Sequence, residues 1–217
     1  MKYPQSLIQL AQERAGKDAK LEGINYGAGP SQAKIMLVGE APGKTEIENQ
    51  IPFSGAAGRE LTASLERISL QRDELYITSA VRSRPYGIKE RKNRKTGQIE
   101  TVYPNRKPTQ REIKAHAILL DYEIQHVQPT LIVALGDVAL KRLLGSKHQL
   151  RADHGQFFTG PIQQVDETGK KWQSSSRDFT VFATYHPAAI FYNRALTATI
   201  QDDFQRLKQW LNAKGWD

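Results

Sequence analysis

The chain has 217 residues, of which 39% are hydrophobic, a net charge of +8 and no cysteine. That length is enough for one α/β domain with a full core, and the missing thiols exclude disulfides, thiolate zinc sites and cysteine-held iron–sulfur clusters. No apolar run approaches the roughly 20 residues of a membrane span, and the first residues lack the apolar stretch of a secretory signal, so a cytoplasmic protein with no membrane contact is expected.

Residues 4 to 15 read as a first helix, followed by an irregular lead-in from Gly23 to Gly29. The apolar run 34–38 predicts a buried strand. Gly39, Pro42 and Gly43 break it and hold one carboxylate, Glu40, at its C-terminal end. After a long Gly/Pro loop comes a helix from about 58 to 68, where Leu61, Leu65 and Ile68 recur at helical spacing. A second strand spans 75–81. Thr109 caps a helix running to about 127, with Gln110, Arg111 and Glu112 in its first turn. A third strand, 130–135, leads through Gly136 into a helix over 137–144. Phe157-Phe158 and residues 162–165 suggest short strands beside a turn near Gly169. The fourth main strand, 179–184, ends in Tyr185-His186-Pro187-Ala188-Ala189, and a helix from 199 to about 213 closes the chain.

Strands alternating with helices predict an α/β fold, a three-layer αβα arrangement around a central four-stranded, mainly parallel sheet. No internal repeat or linker divides residues 1–217, so a single domain is expected. Ligands of open α/β sheets sit at the C-terminal edge of the strands. Two parallel strands thus deliver Glu40 and His186 to one rim, an active-site layout. A carboxylate in such a loop also serves to cap a helix or tie the loop, and His-Pro is also turn chemistry.

Gly39-Glu40-Ala41-Pro42-Gly43-Lys44-Thr45 superficially matches a phosphate-binding P-loop. Only three residues separate the glycines where four are needed, and Pro42 removes an N–H that the phosphate cradle would use. An NTPase is therefore set aside.

Charge is concentrated in one place. Ten lysines and arginines against two glutamates fall between Arg82 and Arg111, so this window carries the whole net charge of the chain. Such a lobe on a neutral body suits a phosphate backbone; a solvated loop that only confers solubility has the same composition. Tyr86 and Tyr103 flank it and are placed to stack on a base or sugar.

These segments resemble the uracil-DNA glycosylase superfamily. The similarity rests on Glu40 within Gly-Glu-Ala-Pro-Gly, on Pro52-Phe53-x-Gly55-x-Ala57-Gly58, on the strand from Tyr76 to Pro85, and on His186-Pro-Ala-Ala. Asn105-Arg106-x-Pro108-Thr109 and Leu131–Gly136 extend it, in the family's order, from about Ala33 to Leu211, and the branch most similar is family 4. The resemblance implies that Glu40 stabilises positive charge on the sugar and orients water, and that His186 donates a hydrogen bond to the departing uracil. It implies that Phe53 stacks on the flipped-out base and that Glu46 crowds the uracil C5 edge, with Gly39 and Ala41 beside them. Ile190 and Phe191 fall where the family wedges an apolar side chain into the base stack, and Ala188 is an expected DNA contact beside them. Phe53, Ile190 and Phe191 are equally residue types of a packed core, and Glu46 of a solvated loop. Arg84, Arg91, Lys92, Arg94, Lys95 and Arg106 are the expected backbone contacts. The implied partner is DNA containing uracil, single- or double-stranded, bound by a monomer without metal or cofactor.

Three departures from the family pattern stand out. Family 4 members hold a four-iron cluster on four cysteines, whereas the matching positions here are near Gln12 and Ala15, then Ser83 and His116. The helix near the N-terminus is expected to pack on the 109–127 helix in the cluster's place. Ser79 occupies the position of the family's base-reading amide, and a hydroxyl cannot make an amide's two-point contact. Residues 86–104 form a basic insertion, without the histidine that covalently trapping relatives carry, so covalent capture is not expected. Besides a uracil glycosylase, two readings remain: a DNA-binding protein of this fold with little or no catalysis, and a glycosylase for another deaminated base such as hypoxanthine.

Overall fold

The structure, a computed structural model, describes residues 1–94 and 96–216. Helix α1 (Gln5–Ala15) and the two-residue strand β1 (Leu21–Glu22) precede the first sheet strand, β2 (Ile35–Gly39). Helices α2 (Lys44–Asn49) and α3 (Ala56–Glu66) follow, then β3 (Tyr76–Ser79), β4 (Arg84–Pro85) and the hairpin strands β5 (Lys89–Lys92) and β6 (Ile99–Val102). Helix α4 (Gln110–Val127), strand β7 (Leu131–Leu135) and helices α5 (Asp137–Leu144) and α6 (Leu150–Asp153) come next. Strands β8 (Phe157–Val165) and β9 (Trp172–Thr184) and helix α7 (Leu196–Ala213) complete the chain.

The central sheet runs in the order β3-β2-β7-β9-β8, with the first four strands parallel and β8 antiparallel to β9. This corrects the expected four strands to five. The two short apolar segments at 157–158 and 162–165 belong to one strand whose pairing shifts register between Pro161 and Gln163. Gly160-Pro161 hid it, and a proline is tolerated there because β8 is an edge strand. In β9 the extra length is polar, Gln173 to Asp178, so its apolar signal began only at Phe179.

Both faces of the sheet are covered, which explains why its central strands β2 and β7 are apolar throughout. In β2 the side chains of Ile35 and Leu37 join one core with Leu61 and Leu65 of α3 and Ile200, Phe204 and Leu207 of α7. Met36 and Val38 join the opposite core with Leu120 and Ile124 of α4 and Leu140 and Leu143 of α5. Each such fully buried side chain contributes about 1.5–3 kcal/mol. The result is the three-layer αβα arrangement.

Helix α4 begins as its sequence requires: Thr109 Oγ1 accepts from the Glu112 N–H at 3.2 Å, and Glu112 Oε2 accepts from the Thr109 N–H at 2.8 Å. Helix α1 packs on α4 through Tyr3, Ile8, Ala11 and Leu119. Beneath that contact the buried Glu123 carboxylate accepts from the hydroxyls of Tyr3, Tyr76 and Thr78 at 2.6, 2.9 and 2.5 Å and pairs with Arg82. The positions matching the family's cluster cysteines do not fit an iron–sulfur cluster. Ala15 has no donor atom, Gln12 is exposed, and the buried His116 uses Nδ1 to accept the Arg82 N–H at 3.2 Å. Hydrophobic contact and the Glu123 network hold this corner instead.

Candidate active site

The C-terminal ends of the parallel strands form the floor of the site. Ser79 ends β3, Glu40 follows β2, Gly136 follows β7, and His186 lies just beyond β9. A cleft of about 320 Å³ opens there, lined among others by Asn25, Ala41, Glu46, Phe53, Ser79, Asn105, His186, Ala188 and Phe191.

Phe53 is held in place by the absence of side chains around it. Its backbone takes a left-handed φ of 53°, a strained conformation for a large residue that costs on the order of 1–3 kcal/mol. A Cβ on Gly39 would meet Phe53 Cζ at 2.6 Å, and one on Gly58 would meet the Phe53 carbonyl oxygen at 1.7 Å. The two glycines thus let the ring lie against the end of β2, where it stacks on the His186 imidazole with centroids 5.4 Å apart at 28°.

His186 caps the short 3₁₀ turn over Pro187–Phe191, and its Nδ1 accepts from the Ala188 N–H at 3.2 Å. With Nδ1 an acceptor, the ring proton of neutral imidazole resides on Nε2. Burial pulls the His186 pKa down to about 4, although the nearby Glu46 carboxylate opposes the shift. At neutral pH the cleft therefore holds an uncharged N–H donor.

Glu46 does not swing freely. Its Oε2 accepts from the Gly43 N–H and its Oε1 from the Gly55 N–H, both at 3.0 Å, so one carboxylate ties together the two glycine-rich segments. The first of these bonds also occupies an N–H that a phosphate cradle would need, and Lys44 points an exposed ammonium toward Glu48 at 3.6 Å. Ser79 Oγ donates to the Val81 carbonyl at 3.0 Å and accepts from Arg82 Nη1 at 3.3 Å, which leaves an acceptor lone pair but no donor.

Glu40 is half-buried at the same rim but is not among the residues lining the cleft. Burial raises its pKa above the ordinary carboxylate value, opposed by Lys107 and reinforced by Asp137. Asp137 opens α5 and bonds Lys141 at 2.9 Å, so a second acid sits near Glu40 that the sequence did not single out. Asn25 and Asn105 were missed as well. Asn25 donates to the Glu46 carbonyl at 2.8 Å, and Asn105 Oδ1 accepts from Arg84 at 2.6 Å. The Asn105-Arg106 pair in the sequence is the only signal for Asn105, and Asn25 has none.

The expected DNA contacts divide into two groups. Arg91 and Lys92 lie on the exposed β5–β6 hairpin and Arg94 in its turn, while Lys95 lies outside the described residues. Arg84 is corrected: it is 4% exposed and bonds Glu22, Asn105 and the Tyr103 carbonyl, so its charge is used inside the fold. Arg106 forms a two-pronged pair with Glu112 at 2.6 and 2.8 Å, and Arg82 is buried against Glu123, so the exposed charge of this window lies mainly on the hairpin. Ala188 lines the cleft and fixes His186. Ile190 is half-buried and packs on the α3–α7 core, whereas Phe191 is 53% exposed and Tyr192, not singled out in the sequence, is 92% exposed.

Residues 26–214 match the family model of the uracil DNA glycosylase superfamily. The chain belongs to that superfamily. It is 34% identical over 184 residues to the type-4 uracil-DNA glycosylase of Sulfurisphaera tokodaii, covering 84% of this chain and 72% of the relative. Identity to the type-4 uracil-DNA glycosylase of Archaeoglobus fulgidus is 31%, with 88% of this chain and 84% of the relative covered. The Thermotoga maritima protein of the same name aligns over 97% of this chain and 98% of its own length at 28% identity. No described helix is long and apolar enough to cross a membrane.

Proposed function

We propose that this protein hydrolyses the N-glycosidic bond of uracil in DNA and leaves an abasic site. The observation that carries the reading is the His186 imidazole, held neutral with its Nε2–H available inside a cleft walled by Phe53. In duplex DNA the target bond is out of reach, so the deoxyuridine is flipped from the stack into the cleft, where Phe53 covers its face and Glu46 stands at its edge. As the C1′–N1 bond breaks, its electron pair leaves with uracil and the sugar acquires oxocarbenium character. His186 Nε2–H donates to the uracil O2, where the negative charge accumulates. An uncharged donor suits this task because it can bond the anion without protonating it. Water attacks C1′ and passes its proton to the Glu40 carboxylate, whose raised pKa suits it to accept one.

The similarity to type-4 uracil-DNA glycosylases supports DNA repair as the setting. A cytoplasmic monomer acting on single- or double-stranded DNA is part of the proposal. Ser79 favours a second substrate within the same reading. Its free lone pair accepts from the uracil N3–H, and the N1–H of hypoxanthine offers the same donor. Incubation with oligonucleotides containing one uracil, hypoxanthine, thymine or cytosine tests both. Free uracil and an abasic site should form from the first, hypoxanthine should be released more slowly from the second, and thymine and cytosine should stay intact. Absence of uracil release would defeat the proposal.

A further inference from the structure

The cleft does not end at Lys44. The same lysine lines a second groove of about 700 Å³, bounded by β1 on one side and by β6 and the two tyrosines that flank the hairpin on the other. The rings of Tyr86 and Tyr103 meet edge to face at 5.8 Å and 78°, and Tyr103 is 53% exposed. This aromatic wall is anchored from behind. The Arg84 guanidinium bonds the Tyr103 carbonyl, Asn105 and Glu22 and lies 6.0 Å from the Tyr86 ring, and its pairing offsets the charge of Glu22, the one acid of the groove. Val102 also lines the groove, and its antiparallel partner is Lys89. Lys89 therefore stands across the hairpin from the groove wall, and Lys44 puts a positive charge in the groove itself.

We propose that this groove holds the nucleotide adjacent to the flipped uracil in a single strand. Its base stacks on Tyr103, and Lys44, shared by the two cavities, meets the phosphate between the two nucleotides. The proposal rests on the uracil-excision reading and adds a second nucleotide subsite to it. An aromatic platform beside a cationic groove is how single strands are held without sequence readout. A base still paired and stacked in a duplex cannot enter the groove, so the subsite favours single-stranded substrate.

The test is a binding cycle read by fluorescence anisotropy. Its probe is a single-stranded oligonucleotide carrying one 2′-fluoro-deoxyuridine, whose fluorine opposes positive charge at C1′ and blocks cleavage. Replacing the neighbouring nucleotide on one side by an abasic analogue should weaken wild-type binding about ten-fold, as expected for the loss of one base–aromatic stack. Tyr103→Ala should weaken binding of the intact oligonucleotide about as much, and in that variant removal of the neighbouring base should have no further effect. Tyr103→Phe keeps the ring and should stay within about twofold of wild type. Losses that simply add, from either neighbour, would overturn the proposal, as would undiminished binding by Tyr103→Ala. Excision of ordinary deoxyuridine is measured separately: normal excision with additive losses removes the groove alone, while absent excision speaks against the activity and leaves the cycle to decide the groove.

Discussion

Two ionisable side chains carry the proposed chemistry, and the fold biases both by burial. His186 is neutral above about pH 4, and Glu40 ionises above the ordinary carboxylate range. The forms that work in the proposed mechanism, imidazole and carboxylate, are both lost on acidification, and neither is lost on the alkaline side. Single-turnover excision should therefore rise through a single acid limb and stay level from pH 6.5 to pH 8.5. A histidine acting as a cationic acid with an ordinary pKa would instead make the rate fall above pH 6.5. A rate–pH profile over this range separates the two. Glu40 and His186 were legible as a pair because the glycines, proline and apolar runs around them fix strand ends. Asn25 and Asp137 were not legible. Nothing in their local sequence reports that Asn25 reaches the Glu46 carbonyl or that Asp137 opens a helix beside Glu40.

Among the elements, helices α4 and α5 could be read almost to the residue, since a capping Thr109 and a strand-ending Gly136 mark their starts. Helix α2 was hidden inside a Gly/Pro-rich loop and buries no side chain that would leave a periodic signal. The insertion read as a basic loop is an antiparallel hairpin pairing Lys89–Lys92 with Ile99–Val102, and its charge obscured the strand pattern. The hairpin also changes which cations matter. Arg82, Arg84 and Arg106 pair with glutamates, whereas Arg91, Lys92 and Arg94 stand in solvent. Replacing Arg91, Lys92 and Arg94 together by glutamine should weaken DNA binding uniformly across sequences. Each phosphate that is no longer neutralised should lower the slope of log K against log salt by roughly 0.7–0.9. An unchanged slope in a salt titration would make the hairpin's charge a solubility feature only.

At the scale of the whole molecule, a cysteine-free chain keeps the superfamily's architecture by burying polar groups in pairs and networks. Sensitivity to acid is one consequence. His116 and His186 are both held neutral by burial, with pKa values near 4, below the roughly 6.5 of an unfolded histidine. Between those values the unfolded chain binds protons that the folded one does not, so their contribution to stability is complete above about pH 6.5 and is lost as the pH falls toward 4. Thermal unfolding at pH 5.0 should give a lower Tm than at pH 7.5, and the decline should begin above the range where carboxylates titrate. A Tm constant down to pH 5 would contradict the buried neutral state of both rings. The three-layer plan was visible in the sequence because each central strand is apolar on both faces, whereas the fifth strand, half polar and broken by Gly160-Pro161, was not.

In the proposed mechanism Glu40 and His186, delivered by neighbouring parts of one sheet edge, excise uracil. Single-turnover release of uracil from a uracil-containing oligonucleotide by wild type, Glu40→Gln and His186→Ala tests it most directly. Each substitution removes stabilisation of charge that exists only in the transition state. The rates should therefore fall by roughly 10²-fold or more, with far-ultraviolet dichroism matching wild type. Near wild-type rates in both variants would contradict the assignment.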